Sequence, residues 1–224
     1  MRLILLADIH GHLSGLDAIR RDIADADAVL VAGDITHFGQ GPDAQAVLDA
    51  IAALGPDVLA VHGNCDGPQI KDLLSQGRMG LNGRVITLGD LQFVGAGGSL
   101  LCSGRTPSEQ DEQGFAQTLQ TACQACRGRL VLVTHQPPYG TRLDLVGGRH
   151  AGSTSIRAFI EEKRPLLAIC GHFHEAIGID KLGQTTIVNP GPFKTGHYAK
   201  AQIIEDQVEV ELRQFHLAVE QVKD

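Results

Sequence analysis

A chain of 224 residues with 43% hydrophobic content is long enough to bury one sizeable core, and it carries no linker, internal repeat or low-complexity tract. Its 19 Lys and Arg against 26 Asp and Glu leave a net charge of −7 without a basic run, which argues against a nucleic-acid polymer as partner. No segment reaches the ~20 apolar residues that span a bilayer, the apolar start is too short for a secretory leader, and five scattered cysteines fit a reduced, cytoplasmic setting.

The first half alternates buried strands with helices. LILLA (3–7) and AVLVA (28–32) are short and wholly apolar, as strands covered on both faces are. Between them Leu13, Leu16, Ile19 and Ile23 recur at helical spacing. A second helix is expected at about 43–54, where Val47, Ala50, Ile51 and Leu54 share a face. VLAVHG (58–63) is a third strand, and Pro68 suits the first turn of the helix after it. A β-α-β-α-β series predicts parallel pairing with right-handed crossovers.

After residue 84 two strands are expected around a Gly89-Asp90 turn, followed by an exposed loop at 98–113. A helix at about 114–127 precedes the strand RLVLVTH, and a helix over 152–163 is entered through Ser153 or Thr154. LLAICGHFH is another apolar strand ending in polar residues, and TTIVN, YAKAQII and QVEVELRQF alternate as half-buried strands do. The expected fold is a single α/β domain over 1–224, with two mixed sheets packed together as a β-sandwich and flanked by helices.

Five of these strands run straight into metal-ligand types. They end in ADIHGH, AGDITH, HGNCD, VTHQPP and ICGHFHE, which brings forward Asp8, His10, Asp34, Asn64, His135, His172 and His174. Loops at the carboxyl ends of strands converge outside a rigid core, so these side chains are expected to meet. Carboxylates, an amide oxygen and imidazoles together suit borderline divalent metals. Singly each has a plain alternative: a strand-end histidine is often a hydrogen-bonded structural residue, and Asp34 after glycine fits a cap or turn. Their joint occurrence favours a metal site.

The set Asp8-Ile9-His10, Gly33-Asp34, Gly63-Asn64-x-Asp66, His135 and Gly171-His172-x-His174, closed by Asn189-Pro190-Gly191, resembles the calcineurin-like metallophosphoesterases in order and spacing. The stretches THQPPYG, GGRHAGS and VNPGP are similar to small prokaryotic phosphoesterases related to cyclic-nucleotide phosphodiesterases. The resemblance implies a two-metal hydrolase of small phosphate esters, with diesters ahead of monoesters. It assigns one metal to Asp8, His10, Asp34 and His174 and the other to Asp34, Asn64, His135 and His172, with Asp34 bridging. Manganese is the first candidate, then iron, zinc or nickel, and a hydroxide shared by the pair would attack phosphorus in line. A protein-binding scaffold that keeps the fold, a metal-dependent nuclease and a homo-oligomeric state are the alternatives carried forward.

Several further residues are singled out. The family motif usually reads G-N-H-[DE], where that histidine donates a proton or contacts phosphate, but here the position is Cys65. Cys65 either packs or acts as a weak ligand or phosphate contact, and Asp66 beside it joins the expected catalytic group. His12 is either a substitute acid or bonded to a nearby carbonyl; His37 is expected on a solvated loop and His62 in a structural role. Arg149 and His150, ahead of Ser153 at a helix start, are expected to contact substrate phosphate. The 98–110 loop with Arg105 and Glu109 is a lid or a plain excursion, and Cys123-x-x-Cys126, read as lying within a helix, is not expected to bind zinc.

Overall fold

The structure, a computed structural model, describes residues 1–102, 104–124 and 126–216. Its first half comprises β1 (Arg2–Leu6), α1 (Arg20–Ala24), β2 (Ala28–Ala32), α2 (Gly41–Ala52), β3 (Asp57–Val61) and α3 (Pro68–Gln76). Then come β4 (Val85–Leu88), β5 (Leu91–Ala96), the short β6 (Ser99–Leu100) and β7 (Glu109–Gln110), α4 (Glu112–Cys123) and β8 (Arg129–Thr134). The remainder is β9 (Leu145–Val146), β10 (Arg149–His150), α5 (Thr154–Lys163), β11 (Leu167–Ile169), β12 (Gly178–Leu182), β13 (Thr185–Asn189), β14 (His197–Ile204) and β15 (Gln207–Gln214).

Two large mixed sheets result. One has the order β15-β14-β1-β2-β3, the other β12-β13-β11-β8-β5-β4. In the first, β1, β2 and β3 run parallel while β14 and β15 are antiparallel additions. In the second, β5, β8, β11 and β13 run parallel, with β4 and β12 antiparallel at the edges. Alternation along each strand explains the unbroken apolar runs. Leu3, Leu5, Leu30, Leu59, Val131 and Val133 fill the space between the sheets. Their neighbours Ile4, Leu6, Val29 and Val31 instead pack beneath α1, α2 and α3 with Ile23, Val47, Ile51 and Ile70. On the other side Leu130 and Leu132 meet Phe115 and Leu119 of α4 and Ile156 and Ile160 of α5. Each buried aliphatic side chain contributes about 1.5–3 kcal/mol, so the core grips the central strands β1, β2 and β8 from two faces.

Local signals set the boundaries. Pro68 opens α3, the Asp111 side chain accepts from Gly114 N at 2.8 Å to start α4, and Ser153 accepts from Ile156 N at 3.1 Å to start α5. Gly89, with φ +59°, turns the β4–β5 hairpin.

The structure differs from the sequence reading at several places, including the unexpected strand β12 and the small β9–β10 pair. The stretch carrying Leu13, Leu16, Ile19 and Ile23 forms turns from 14 to 19 and becomes helical only at Arg20–Ala24. Phe193 and Phe215 occupy the space beside Gly15, where any side chain would run into the Phe215 ring, and the chain turns around them while Ile19 and Ile23 stay buried. The expected loop at 98–113 contains the parallel pair β6–β7 and the cap of α4. Helix α4 ends at Cys123, so Cys126 lies outside it, and Ala125 is outside the described residues. Among the described residues no helix is long and apolar enough to cross a membrane.

Candidate metal centre

The carboxyl ends of β1, β2, β3, β8 and β11 converge at one edge of the sandwich, and their loops are stitched directly to one another. Asp8 N donates to Gly33 O at 3.1 Å, His10 N to Asp34 O at 2.8 Å and Gly171 N to His135 O at 3.0 Å. This lattice holds Asp8, His10, Asp34 and His172 in left-handed backbone conformations, with φ of 53°, 49°, 48° and 71°. Such a conformation costs a non-glycine residue about 1–3 kcal/mol and is concentrated at functional sites. Glycines permit the crowding, since a side chain at Gly63 would collide with the Asp34 backbone and carboxylate.

Within this frame Asp34 stands between two imidazoles. Its Oδ2 is 3.7 Å from His10 Nε2, and its Oδ1 is 3.5 Å from His135 Nε2. Asp8 Oδ1 lies 3.2 Å from His174 Nε2 without hydrogen-bond geometry, and Asp8 Oδ2 accepts from the His172 amide at 3.2 Å. His135 contacts the Ala32 carbonyl through Nδ1 at 2.8 Å and Asn64 Oδ1 through Nε2 at 2.8 Å. The His172 ring centroid is 5.1 Å from that of His135. Donor atoms of Asp8, His10 and His174 lie within 4.8 Å of one another, as do those of Asp8, Asp34 and His135 and those of His10, Asp34 and Cys65.

The donors fit divalent cations better than they fit each other. Asp8 Oδ1 and both ring nitrogens of buried His10 have no hydrogen-bond partner, and such atoms cost about 1–3 kcal/mol apiece when left unpaired. Titration is skewed to match. Burial and the Lys194 charge push His10 down to about 4, and burial pushes His172 down to about 3, so both rings are neutral at physiological pH, the form in which an imidazole can bind a cation. Burial would raise the Asp8 carboxyl, but His174, His135 and His10 hold it below its ordinary value. Asp34 moves the other way, raised by burial and by Asp8 and Asp66 although His135 opposes the shift. Burial lowers His135, but Asp34, Asp8, the Ala32 carbonyl and Asp66 together outweigh it and raise the ring above its ordinary value.

The other expected site residues divide. Cys65 is buried, and its thiol is pushed well above the ordinary range by burial and by Asp34, while its amide donates to Asp34 Oδ1 at 2.8 Å. Asp66 corrects the sequence reading. Its carboxylate is fully engaged, accepting from Ile35 N, Thr36 N and Thr36 Oγ1 at 2.9 Å and from Gly63 N at 2.8 Å, so it braces the β2 and β3 loops and has no oxygen for reacting atoms. His12 is exposed, with Nδ1 3.0 Å from the His10 carbonyl, the plainer of its two expected roles. His37 is exposed as expected, yet its ring centroid is 5.3 Å from that of His10.

Arg149 and His150 sit exposed on β10, in the loop that follows His135, and His150 Nδ1 is spent on buried Asp144 at 2.8 Å. His62 is buried with Nδ1 unpartnered. Glu109 closes the 102–109 loop, accepting from Cys102 Sγ and from Thr106 N and Oγ1. Two residues near the centre went unnoticed in the sequence. Lys194 is half-buried with its amide 3.4 Å from the Asp8 carbonyl, and Phe38 follows His37 with half its surface exposed. An apolar residue directly after the histidine of ITHF, on a loop leaving a ligand aspartate, was the available signal for Phe38.

A profile described as the calcineurin-like phosphoesterase superfamily domain matches residues 1–205. The protein belongs to that superfamily. An uncharacterized protein of Methanocaldococcus jannaschii is 37% identical over 199 residues, which are 86% of this chain and 88% of the relative. The fold is shared with TT1561 of Thermus thermophilus, at a TM-score of 0.71 and 16% identity over 94% of this chain and 97% of that one. It is shared also with a dimetal phosphatase from Danio rerio, at 0.62 and 14% identity over 96% of both chains. This calcineurin-like phosphoesterase is thus a metal-dependent enzyme of phosphate esters, with its candidate centre at the shared strand ends.

Proposed function

We propose that the enzyme hydrolyses small phosphodiesters with two divalent cations, manganese first among the candidates. Asp8, His10, Asp34 and His174 would hold one ion, and Asp34, Asn64, His135 and His172 the other. The observation that carries this reading is the placement of Asp34, whose two oxygens face His10 on one side and His135 on the other, at 3.7 and 3.5 Å. Only a carboxylate offers two such oxygens, and neutral Asn64 adds a donor without a further negative charge. When bound, the cations supply Lewis acidity toward a phosphoryl group and an activated water.

The chain's own residues do the rest. The Cys65 amide and the Asp66 brace orient Asp34 and its loop, and the Ala32 carbonyl fixes the ring of His135. Burial of Asp8, Asp34, Asn64 and His135 excludes water and strengthens every charge interaction in the centre. The Cys65 thiol, driven above its ordinary range, is a poor proton donor, which favours esters whose leaving group needs little protonation. Five cysteines free of disulfides support a cytoplasmic setting.

Metal-free protein reloaded with Mn, Fe, Zn, Ni or Mg and offered mono- and diesters tests the reading. We expect kcat/KM for diesters to exceed that for matched monoesters by at least about tenfold, a difference of ~1.4 kcal/mol in transition-state binding. A monoester preference overturns the diester assignment, and full metal loading without hydrolysis of either class returns the scaffold alternative.

A further inference from the structure

Beside the candidate metal centre lies a cavity of about 390 Å³ lined by Phe38, Gln40, Cys65, Pro68, Gln69 and Pro107, together with Gly39 and Gly67. That volume is within the range of small-molecule sites, about 300–1,000 Å³. Cys65 belongs to both places: it lines the cavity, and its sulfur is within 4.8 Å of donor atoms of His10 and Asp34. A phosphoryl group at the metal centre therefore has this cavity next to it as a place for its organic substituent.

The lining is unusual for an anion site. Phe38, Pro68 and Pro107 present flat apolar surfaces, Gln40 and Gln69 bring neutral amides, and no ionised side chain is among the lining residues. Gly67 adds no wall, with open space where a side chain would project. Phe38 is held in a left-handed conformation at φ 57°, and the residue is 51% exposed, so it gains little from core burial. It packs edge-on to His37 with centroids 4.8 Å apart, and His37 in turn packs on His10. A strained backbone that presents a bulky ring to solvent is most often kept for what the ring does. Cys65, shorter than the histidine usual in the motif, is the residue common to the cavity and the metal centre.

We propose that this cavity is the subsite for the organic group of the ester and that it selects a flat aromatic ring, stacked on Phe38 and met at its edge by Gln40 and Gln69. The proposal rests on the phosphoesterase reading for the location of the phosphoryl group, and its test separates the two. Because the chain contains no tryptophan, a Phe38→Trp variant reports from this position alone.

Titration of the manganese-loaded variant with phenylphosphonate and with methylphosphonate should give an emission change on phenylphosphonate and about three- to tenfold tighter binding of it, the range of one aromatic contact. Equal affinities, or no emission change with phenylphosphonate, overturn the subsite. In parallel, Phe38→Ala should lower the ratio of kcat/KM for phenyl over methyl diesters by about three- to tenfold, mainly through KM; an unchanged ratio overturns it. Ring-selective binding in a protein that hydrolyses no ester would sink the catalytic reading and keep the subsite. Hydrolysis without ring preference does the reverse.

Discussion

Asn64 Oδ1 and His135 Nε2 meet at 2.8 Å across 71 positions of sequence, which ties the end of β3 in one sheet to the end of β8 in the other. The contact is between two proposed ligands of the same ion, so under that assignment Asn64 would serve both the apo-protein and the loaded centre. Asn64→Ala should weaken metal binding at the His135 side by about 10–100-fold and destabilise the metal-free fold by only ~1 kcal/mol. Competition against a chromogenic chelator and a denaturant melt measure the two effects.

Asp66 should behave differently, because its carboxylate organises the loops without facing an ion. Asp66→Ala strands four donors, at Ile35 N, Thr36 N, Thr36 Oγ1 and Gly63 N. We expect a loss of about 3–5 kcal/mol in stability by urea titration, since each stranded buried donor costs about 1–3 kcal/mol and water recovers part of it. Metal affinity falls as a consequence, and both recover partly in Asp66→Asn.

Backbone crowding gives a third expectation. Gly63→Ala puts a methyl into the Asp34 backbone, whereas Gly11→Ala, at φ +77° with open space around it, only strains its own torsions. Gly11→Ala should therefore cost about 1 kcal/mol, and Gly63→Ala more than ~3 kcal/mol together with loss of metal binding. Equal melting temperatures for the two variants would mean that the β3 loop does not press on Asp34 as described.

A pH effect is expected away from the centre. Glu112 accepts from Thr154 N at 2.7 Å, Ser155 N at 2.9 Å and Ser153 Oγ at 2.6 Å, so it caps α5 from α4. Burial raises its carboxyl, but these bonds outweigh burial and hold it below the ordinary glutamate value of 4.5. A folded-state value below the unfolded one means that the stabilisation is complete above pH 4.5 and lost as pH falls through the folded value. Glu112→Gln should lower stability at neutral pH by ~1 kcal/mol and flatten the fall on the acid side. Thermal melts from pH 7 down to 3 would reveal an unflattened limb if the cap were unimportant.

Much of this was legible in the residue pattern, and for one reason. Strands covered on both faces, such as Leu3–Leu6 and Val29–Val31, read as apolar runs, and each run ends where backbone turns outward with a polar residue. That pattern alone placed Asp8, Asp34, Asn64 and His135 at strand ends. Side-chain direction was not legible. Asp66 and Asn64 are two positions apart in one loop, yet one braces backbone amides and the other faces His135. The turns at 14–19 escaped because the close approach of Phe193 and Phe215 to Gly15 is a long-range contact that local spacing does not encode. Phe38 escaped because an exposed ring gives no periodic signal.

The central claim is that Asp34 is shared by two cations, and counting ions tests it most directly. Apo-protein saturated with manganese, freed of excess metal and analysed for bound ions should carry two per chain, and Asp34→Asn one or fewer. A single ion in the unaltered protein, or two in Asp34→Asn, would contradict the account.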